Sequence, residues 1–524
     1  MKHYKDDKKS ARSQWTSMES TRFSYIDRAR QCSELTLPFL FPPQGTGAST
    51  VLETPYNSLG ARAVNNLASK LLLSLLPPNT PFFRFTINRE VVRQAESADM
   101  LAQLDLAFSE MERSIVEELE ADPIRPVLFE ALRHLVVGGN GLLHYDIKGK
   151  NGWRFFSLDQ YVVERVHDVV TELIMKETIS KEGLSTEIYD SLSNEEKNKM
   201  GEEVEVFTRC CLEDGRYECC QEIGGIEIEG THASYLPEDF PYIPLRWNRI
   251  GMENYGRGIV EEYLGDLQSL ESLTRAIVDF SLAASRVLFL VKPNGTTRIY
   301  DVQNAPNGSI KSGNADDVTV LALEKYADFK VSQMVSQNIQ QRLENAFMLR
   351  SSVQRDAERV TATEVRLMAQ ELEDTLGGVF STLSFDLQLP IIRVTLSTMQ
   401  KKGRMRKMPE GIVRPVIITG LDALGRGHEL TKLDAFVQGI GQTLGPQAIA
   451  QYLNVTGYMA ARAAALGLDT AGIVKSPEQV QQEQQQAQAQ AAQTQIAPAL
   501  IKAGAQVGAA QAGQPQQQGE VPPQ

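Results

Sequence analysis

The stretch Arg359–Ser381, RVTATEVRLMAQELEDTLGGVFS, opens a long amphipathic pattern that decides how the rest of the chain is interpreted. Thr361 and Glu364 have the spacing of a capping box, in which each side chain satisfies a backbone N–H of the first helical turn. Apolar residues then recur every three or four positions, at Val365, Met368, Leu372, Leu376, Phe380, Leu383, Leu387, Ile391 and Val394. This periodicity predicts a helix with one continuous apolar face.

Three residues within the pattern normally end or bend a helix: Gly377, Gly378 and Pro390. The apolar face continues through all three, so we predict that they are hinges in one long kinked helix. About thirty helical residues would span roughly 45 Å, which is more than the diameter of a small domain. A core helix of a compact monomer explains the apolar face but not this length.

Composition and charge restrict the class of protein. The chain has 524 residues, of which 42% are hydrophobic and 23% charged, with a formal net charge of -13. It is long enough for about three domains. The acidic balance argues against binding nucleic acid over a broad surface, although transient contact remains compatible with it. The polar start MKHYKDDKKSARS and the short apolar run Leu67–Leu76, which contains Lys70, predict a cytosolic chain without a membrane segment.

Four of the five cysteines lie in CCLEDGRYECC, residues 210–220. The flanking pattern predicts a β-hairpin with a two-residue Asp-Gly turn, which places Cys210 opposite Cys219 and sends Cys211 and Cys220 to the other face. Four thiolates divided between two faces cannot surround one zinc ion. The pattern therefore favours small, half-buried thiols over a metal site, and a cytosolic setting disfavours disulfides.

Helical and strand-like periodicity alternate along the chain. The predicted order is a helical block (1–145), short strand-like runs (141–249), a helix (259–284), a small mixed segment with two strands (286–326), a helix (330–349), a connector (350–360) and the long helix. The strand-like runs are GLLHYDI, WRFFSL, YVVERV, EVEVFTRC, YECCQEI and IEIEG. Residues 476–524 are rich in Gln and Ala, and we predict disorder there, with a frayed helix as the alternative.

The sequence contains no constellation of residues that predicts catalysis. It has neither a GxxxxGK[ST] phosphate loop nor an HExxH or GxSxG motif, and its six histidines are scattered. His134 and His144 flank the glycine-rich turn VVGGNG, where a structural role and a helix stop are the simpler interpretations. We predict no catalytic residue, no cofactor and no metal site, and infer that the chain is not an enzyme.

Six segments resemble, in their order along the chain, portal (head-to-tail connector) proteins of T7-like short-tailed bacteriophages. They are LPFLFPPQG, ARAVNNLASKLLLSLLPPNTPFFRFTI, LFEALRHLVVGGNGLLHYD, PYIPLRWNRIGMENYGRGIVEEYLGDLQSLESL, ERVTATEVRLMAQELEDTLGGVFSTLSFDLQLPIIRV and ITGLDALGRG. The likeness extends from about residue 20 to residue 475. It does not include the cysteine hairpin or the tail, so it implies nothing about them.

The resemblance implies an α+β, mainly helical portal fold in a dodecameric ring around a DNA channel. Its regions would be the wing (1–257, with its β-rich part at 141–249, and 361–410), the stem helices (258–285 and 329–349), the clip (286–328), the channel loop (350–360) and the crown (411–475). It also implies a location at one capsid vertex after assembly in the host cytoplasm. The implied partners are double-stranded DNA, the terminase large subunit, the major capsid protein, the scaffold, tail adaptor proteins and internal core proteins, with no membrane.

Three arginines in or beside the implied channel loop, Arg350, Arg355 and Arg359, are candidate contacts to DNA phosphates. Pairing with Asp356, Glu358 or a neighbouring subunit explains them equally well. An otherwise acidic channel would keep DNA from adhering while it moves. One alternative function is that of a DNA-processing or packaging enzyme with a site built from scattered residues. Another is that of an internal scaffold protein, and the strand-rich region 141–249 argues against it.

Overall fold

The structure is a computed structural model that describes residues 10–47, 49–78, 81–87, 98–147, 152–183, 202–284, 288–321, 326–349, 371–372, 374–406, 413–417, 434–443 and 458–459. The chain divides into two compact units, residues 1–89 with 110–424, and residues 90–109 with 425–524. In the second unit, residues 434–443 are helical and the Tyr458 hydroxyl donates to the carboxylate of Asp434. All other contacts below lie in the first unit.

The main helices are α1 (Ala11–Glu34), α2 (Leu59–Leu75), α3 (Ala98–Ala121), α4 (Ile124–Gly138), α5 (Ile259–Glu262), α6 (Leu264–Ala284), α7 (Ile299–Gln303), α8 (Tyr326–Ala346), α9 (Gly378–Leu383) and α10 (Leu389–Lys401). A π-helical turn, Ser384–Gln388, joins α9 to α10.

Thirteen strands form four sheets in the described part of the chain. They are β1 (Phe83–Ile87), β2 (Asn140–Tyr145), β3 (Trp153–Phe156), β4 (Tyr161–Val166), β5 (Val169–Ser180), β6 (Glu203–Glu213), β7 (Arg216–Ile223), β8 (Ile226–Glu227), β9 (Ala233–Tyr235), β10 (Tyr242–Arg246), β11 (Leu288–Val291), β12 (Val318–Leu321) and β13 (Val413–Ile417). The largest sheet has the order β4-β5-β6-β7-β8, with β9 also paired to β7, and a second has the order β10-β2-β3. This mixture of helices and sheets confirms an α+β fold.

Strand β5 was not predicted, although it has twelve residues and lies between β4 and β6. Its central residues Leu173, Ile174 and Met175 are all buried, because the strand is covered on both faces at mid-length. A strand buried on both faces lacks the apolar–polar alternation by which strands are predicted. Strand β10 is also absent from the predicted strands, although its half-buried and buried residues alternate, because it is short and contains Pro244, a residue that argues against a strand except at a sheet edge, where β10 lies.

The cysteine hairpin has the predicted register. β6 and β7 meet at a turn in which Asp214 and Gly215 both have positive φ, and Cys210 lies directly opposite Cys219. Cys210 and Cys219 are buried, whereas Cys211 and Cys220 are half-buried on the other face. None of the five cysteines forms a disulfide.

Helix α1 lies on one face of the large sheet. The carboxylate of Glu222 in β7 accepts the backbone N–H of Ala11 (2.5 Å), so a sheet residue caps the helix. The side chains of Ala11 and Trp15 pack in a buried cluster with Val162, Ile174 and Phe207, one from each of the strands β4, β5 and β6.

Arg22 in α1 is buried and donates through one nitrogen, Nη1, to three backbone carbonyls. The acceptors are Leu158 (3.1 Å), Asp159 (2.8 Å) and Tyr161 (2.9 Å). Its guanidinium also lies 4.7 Å from the centroid of the Trp15 ring. Burial lowers the pKa of Arg22. The cation therefore fastens the helix to the turn that precedes β4.

The predicted apolar face of the long helix is buried wherever the structure describes it after residue 376. Phe380, Leu383, Leu387, Ile391 and Val394 are at most 1% exposed. Among the described residues, one helical stretch, Gly378–Lys401, is long and apolar enough to span a membrane. Half of its most apolar segment is buried inside the chain. We interpret that stretch as a core helix.

Candidate functional site

The loop Trp247–Arg257, WNRIGMENYGR, joins the strand-rich region to the helices α5 and α6. Asn140, which is buried at the start of β2, holds this loop against the end of α4. Its amide donates to the carbonyls of Gly138 (2.9 Å) and Gly256 (2.8 Å), and its oxygen accepts the N–H of Gly256 (2.7 Å). The predicted helix stop is confirmed at Gly139, which has a φ of +73°.

Close packing explains why the two chain segments at this junction contain glycine. A Cβ on Gly139 would lie 2.3 Å from the carbonyl carbon of Arg257, and a Cβ on Gly258 would lie 2.6 Å from the carbonyl oxygen of Val137. The backbones of the α4 terminus and of the loop are thus in direct contact. The position of α5, which begins immediately after the loop, is therefore fixed by the end of α4.

The same loop covers the free edge of the large sheet. The Tyr255 hydroxyl accepts the N–H of Val163 (3.1 Å), and Asn254 Oδ1 accepts the N–H of Arg165 (2.9 Å). Without these acceptors, β4 would present unpaired backbone donors. Burial raises the pKa of Tyr255 to about 12, so its hydroxyl stays protonated.

Arginines beside the loop connect it to two other parts of the fold. Arg246 is buried and donates to Asp168 at the β4–β5 turn (2.7 Å), and Arg249 donates to both oxygens of Asp386 in the π-helical turn. Burial, together with nearby Arg246, lowers the pKa of Arg165 to about 10. Two ion pairs, one between buried Arg246 and exposed Asp168 and one at the surface between Arg249 and Asp386, therefore connect the loop region to the sheet turn and to the π-helical turn.

Lys70 in α2 interacts with residues on both sides of the segment 350–370, which contains the predicted channel loop. Its ammonium donates to the carbonyl of Met348 (2.7 Å), at the end of α8, and its charge interacts with Glu371, at the beginning of the described part of the long helix. Asn66, one turn earlier on α2, donates to the carbonyls of Phe347 and Met348 (3.3 Å each). Burial lowers the pKa of Lys70.

The sequence indicates that Lys70 is unusual, but it does not indicate what this lysine binds. Lys70 interrupts the most apolar run of the chain, and a charged residue in such a run must find partners inside the fold. Its partners, however, are a carbonyl and a carboxylate about 280 and 300 residues away, which no local pattern reveals.

Helices α6 and α8 form an antiparallel pair. The ring of Tyr263, just before α6, packs on Phe347 after the end of α8, and Phe280 near the end of α6 packs on Phe329 near the start of α8. Arg342 donates to Asp266 across the pair (2.7 Å). Between the two helices, β11 and β12 pair antiparallel, as the sequence predicted for the mixed segment.

This helix pair leaves large apolar side chains exposed at its far end. On α8 they are Val331 (61% exposed), Met334 (58%) and Val335 (43%), and on α6 they are Val278 and Leu282. On α8, Val331 and Val335 continue, at spacings of four residues, the row that contains the buried Ile339 and Leu343, so this row passes from buried to exposed towards the start of the helix. Ile299, Tyr300 and Ile310, between β11 and β12, are also exposed.

The candidate site residues are described only in part. Arg350, Arg355 and Arg359 lie outside the described residues. Gly377 has a φ of +41° and ψ of -105°, which separates the helical residues 374–376 from α9. Gly378 is the first residue of α9, and Pro390 is the second residue of α10. The structure shows one conformation, so the assignment of these three residues as hinges stays a prediction.

A π-helical turn explains how the apolar face continues past Pro390. In an α-helix the proline ring would clash with the carbonyl of Asp386, and the proline has no N–H to donate. Here Leu389 donates to the carbonyl of Ser384, five residues back, which widens the helix one turn before the proline. The buried Gln388 in this turn donates to the carbonyl of Leu75, at the end of α2 (2.6 Å).

The two histidines beside the glycine-rich turn lie in the core. His134 packs between the rings of Phe41 and Phe155, and His144 stacks on Tyr242. Burial lowers the pKa of each to about 4, so both are neutral at pH 7. Among the residues that the structure describes, no group of three or more His, Cys, Asp or Glu side chains is arranged to hold a metal ion.

Comparison with known proteins gives a consistent family. The family model for bacteriophage head to tail connecting proteins matches residues 8–474. The portal protein of Escherichia phage T7 is 40% identical over 481 residues, which cover 90% of this chain and 89% of that protein. The portal protein of Enterobacteria phage T3 is also 40% identical, over 90% of this chain and 89% of that protein.

More distant similarity follows the same pattern. The portal protein of Pseudomonas phage phiKMV is 32% identical over 92% of this chain and 95% of that protein. Among solved structures, a chain from the neck of an empty gene transfer agent particle matches at 14% identity with a TM-score of 0.37, over 79% of this chain and 90% of that chain. At so low a TM-score the structural likeness carries no weight.

Proposed function

Because this chain belongs to the bacteriophage head-to-tail connecting proteins and is a portal protein of the phage virion, we propose that it forms a dodecameric ring at one capsid vertex. In this proposal the ring is the conduit for genome packaging and ejection. The observation that carries it is the 40% identity to the T7 portal protein over 90% of the chain. The ring, the domain assignment, the DNA contacts and the partners are each supported by different observations.

Ring formation is supported by the exposed apolar residues of α6 and α8. A helix pair that leaves Leu282, Val331 and Met334 in water has apolar surface to bury against another molecule. Burying one such side chain contributes about 1.5–3 kcal/mol. We propose that a neighbouring copy of this chain covers them, so that the predicted stem helices form the contact between subunits.

The domain assignment follows the family architecture with one adjustment. We propose wing, stem, clip and crown at the residues predicted above, with α6 and α8 as the stem and β11, β12 and α7 in the clip. Strand β13 (Val413–Ile417) pairs with β1 (Phe83–Ile87), which lies in the proposed wing. The crown is therefore better placed after residue 417 than after residue 410.

We propose that Arg350, Arg355 and Arg359 contact the phosphates of DNA in the channel. The support is the presence of three arginines within ten residues of the predicted channel loop, in a segment whose flanking described residues Met348 and Glu371 both interact with Lys70. Replacing all three arginines with alanine should lower the amount of DNA retained in filled particles. Unchanged packaging and retention would leave them as partners of local carboxylates.

The further partners are proposed from family membership alone. They are the terminase large subunit during packaging, scaffold and major capsid protein during head assembly, tail adaptor proteins afterwards, and internal core proteins. Pull-down of the purified ring with each candidate tests them separately.

The oligomer is tested directly on purified protein. End-on negative-stain images should show closed rings, and mass photometry should give one dominant species of dodecameric mass. A chain that stays monomeric at every concentration would overturn the ring. ATPase and nuclease assays on the same sample test the other candidate, an enzyme of DNA processing, and turnover in either would favour it.

A further inference from the structure

We propose that Cys210 and Cys219 form a disulfide across the β6–β7 hairpin once the virion has left the reducing cytosol of its host. This proposal depends on the location of the protein in a virion and not on the ring or its partners.

The register puts the two thiols at one of the closest positions in the hairpin. The two-residue turn is closed by the pair Glu213 and Arg216, and such a turn closes on a hydrogen-bonded pair. Hydrogen-bonded and non-hydrogen-bonded pairs alternate along antiparallel strands, so Cys210 and Cys219, three pairs away, form a non-hydrogen-bonded pair. The Cα atoms of such pairs lie about 4.5 Å apart, within the range of about 4.4–6.8 Å that disulfides span.

The environment keeps the pair together. Both thiols point into the buried face, and their side chains hydrogen-bond to each other. Burial and this hydrogen bond raise the pKa of Cys210 well above its ordinary value, which makes the thiolate scarce and its oxidation slow. Slow oxidation suits a pair that stays reduced through assembly and is then exposed for long periods to an oxidising medium.

The half-buried pair on the opposite face is an internal control. Cys211 lies opposite Glu218, and Cys220 lies opposite Arg209, so these two cysteines are diagonal neighbours. Diagonal positions are about 7–8 Å apart between Cα atoms, which exceeds the reach of a disulfide without backbone movement. The more accessible thiols are therefore the pair that cannot be bridged.

The reaction is a thiol–disulfide exchange with a low-molecular-weight disulfide as the oxidant. One thiolate attacks the oxidant and releases one thiol, and the second cysteine then displaces the other half as a second thiol. The chain loses two protons and two electrons and gains one S–S bond. The oxidant is reduced to two thiols.

The test uses the full-length protein incubated with oxidised glutathione, followed by alkylation and tryptic mapping without reduction. Trypsin separates residues 210–216 from residues 217–246, so a disulfide in the hairpin links these two peptides. We expect the linked peptides in the parent and in the double variant Cys211→Ser/Cys220→Ser, and a higher Tm after oxidation. The double variant Cys210→Ala/Cys219→Ala should give no linked peptides.

The oxidation must also be shown to work independently of the fold. The Cys211→Ser/Cys220→Ser variant in denaturant should form the link readily. If folded protein keeps Cys210 and Cys219 alkylatable after long oxidation while the denatured chain links them, the proposal is wrong. It is equally wrong if the linked peptides persist in Cys210→Ala/Cys219→Ala. In particles alkylated after release, the peptides 210–216 and 217–246 should be linked, whereas in particles alkylated inside cells they should be separate. This result does not depend on the outcome of the ring assay.

Discussion

The region around α1 and the Trp247–Arg257 loop contrasts with the α6–α8 pair in the groups that each leaves exposed. Around α1 and the loop, buried polar groups such as Arg22, Asn140 and Arg246 have partners within the chain. On α8, apolar groups such as Val331 and Met334 are exposed. The first region is stabilised by its own contacts, whereas the second exposes the apolar surface that we propose a neighbouring copy covers.

This difference predicts that substitutions around α1 and the Trp247–Arg257 loop lower the stability of the subunit, whereas substitutions at the exposed positions of α8 act on the proposed assembly. The expected effects on subunit stability are given below in decreasing size. All are measured as the denaturant midpoint, followed by fluorescence of the buried Trp153 and Trp247.

The largest effect is expected for Gly139→Ala. The residue has a φ of +73°, and the new Cβ would lie 2.3 Å from the backbone of Arg257. The left-handed conformation alone costs about 1–2 kcal/mol, and the clash with fixed backbone should raise the loss to about 4 kcal/mol or more.

Gly215→Ala is the matched control for the glycine prediction. Gly215 has a similar φ of +79°, but nothing lies within 4 Å of the added Cβ. It should lose only about 1–2 kcal/mol. Equal losses at both positions would show that the close contact of α4 with the loop is unimportant.

Arg22→Met should lower the free energy of unfolding by about 3 kcal/mol, because three carbonyls lose their buried donor at about 1 kcal/mol each. Methionine keeps much of the side-chain volume. Arg12→Met in the same helix is the control. The Arg12 side chain is exposed, and its ion pair with Glu205 is long (4.0 Å) and therefore weak. This substitution should change the free energy of unfolding by less than about 0.5 kcal/mol.

Stability should fall as pH drops from about 6.5 towards 4 because of His134. Its folded pKa of about 4 is below the unfolded value, so the unfolded state binds more protons in this window and acid favours it. The contribution is complete above pH 6.5, and about 2 kcal/mol of it is lost by pH 5.

His134→Phe keeps an aromatic ring between Phe41 and Phe155 and should remove about half of the pH dependence in this range, because His144 has a similarly lowered folded pKa and contributes the other half. His232→Phe, at an exposed position, should leave it as in the parent. A slope in His134→Phe equal to that of the parent would assign the acid sensitivity to other groups.

The smallest effect on the subunit itself is expected for Val331→Asp/Met334→Asp on α8. Both side chains are exposed, so the free energy of unfolding of the separated subunit, obtained from the denaturant midpoint, should change by less than about 0.5 kcal/mol. Closed rings should nevertheless disappear in mass photometry, because two carboxylates enter each proposed subunit contact.

Gln333→Asp places one such carboxylate on α8 at an exposed position that is neither three nor four residues from Val331 or Met334, and therefore on another side of the helix. It should leave rings intact. If both variants assemble, or if Val331→Asp/Met334→Asp unfolds the subunit, the contrast between the two regions does not hold.

Local patterns predicted the elements that depend on neighbours in the chain. The Asp-Gly turn set the register of the cysteine hairpin, and the glycine pair ended α4, since turn and cap conformations are decided within a few residues. The apolar face of the long helix was likewise predicted by its spacing. Strand β5 was missed because burial on both faces removed its alternation.

The sequence by itself determined the family, the order of helical and strand-rich regions and the faces that are buried, because each is written in residue type and spacing. Only the tertiary structure decided which distant groups meet: Asn140 with Gly256, Arg249 with Asp386, and Lys70 with both Met348 and Glu371. A buried polar group requires a partner, but the partner can come from any segment that the fold brings near. Local spacing therefore shows that a polar residue will be buried, whereas the tertiary structure decides which residue becomes its partner.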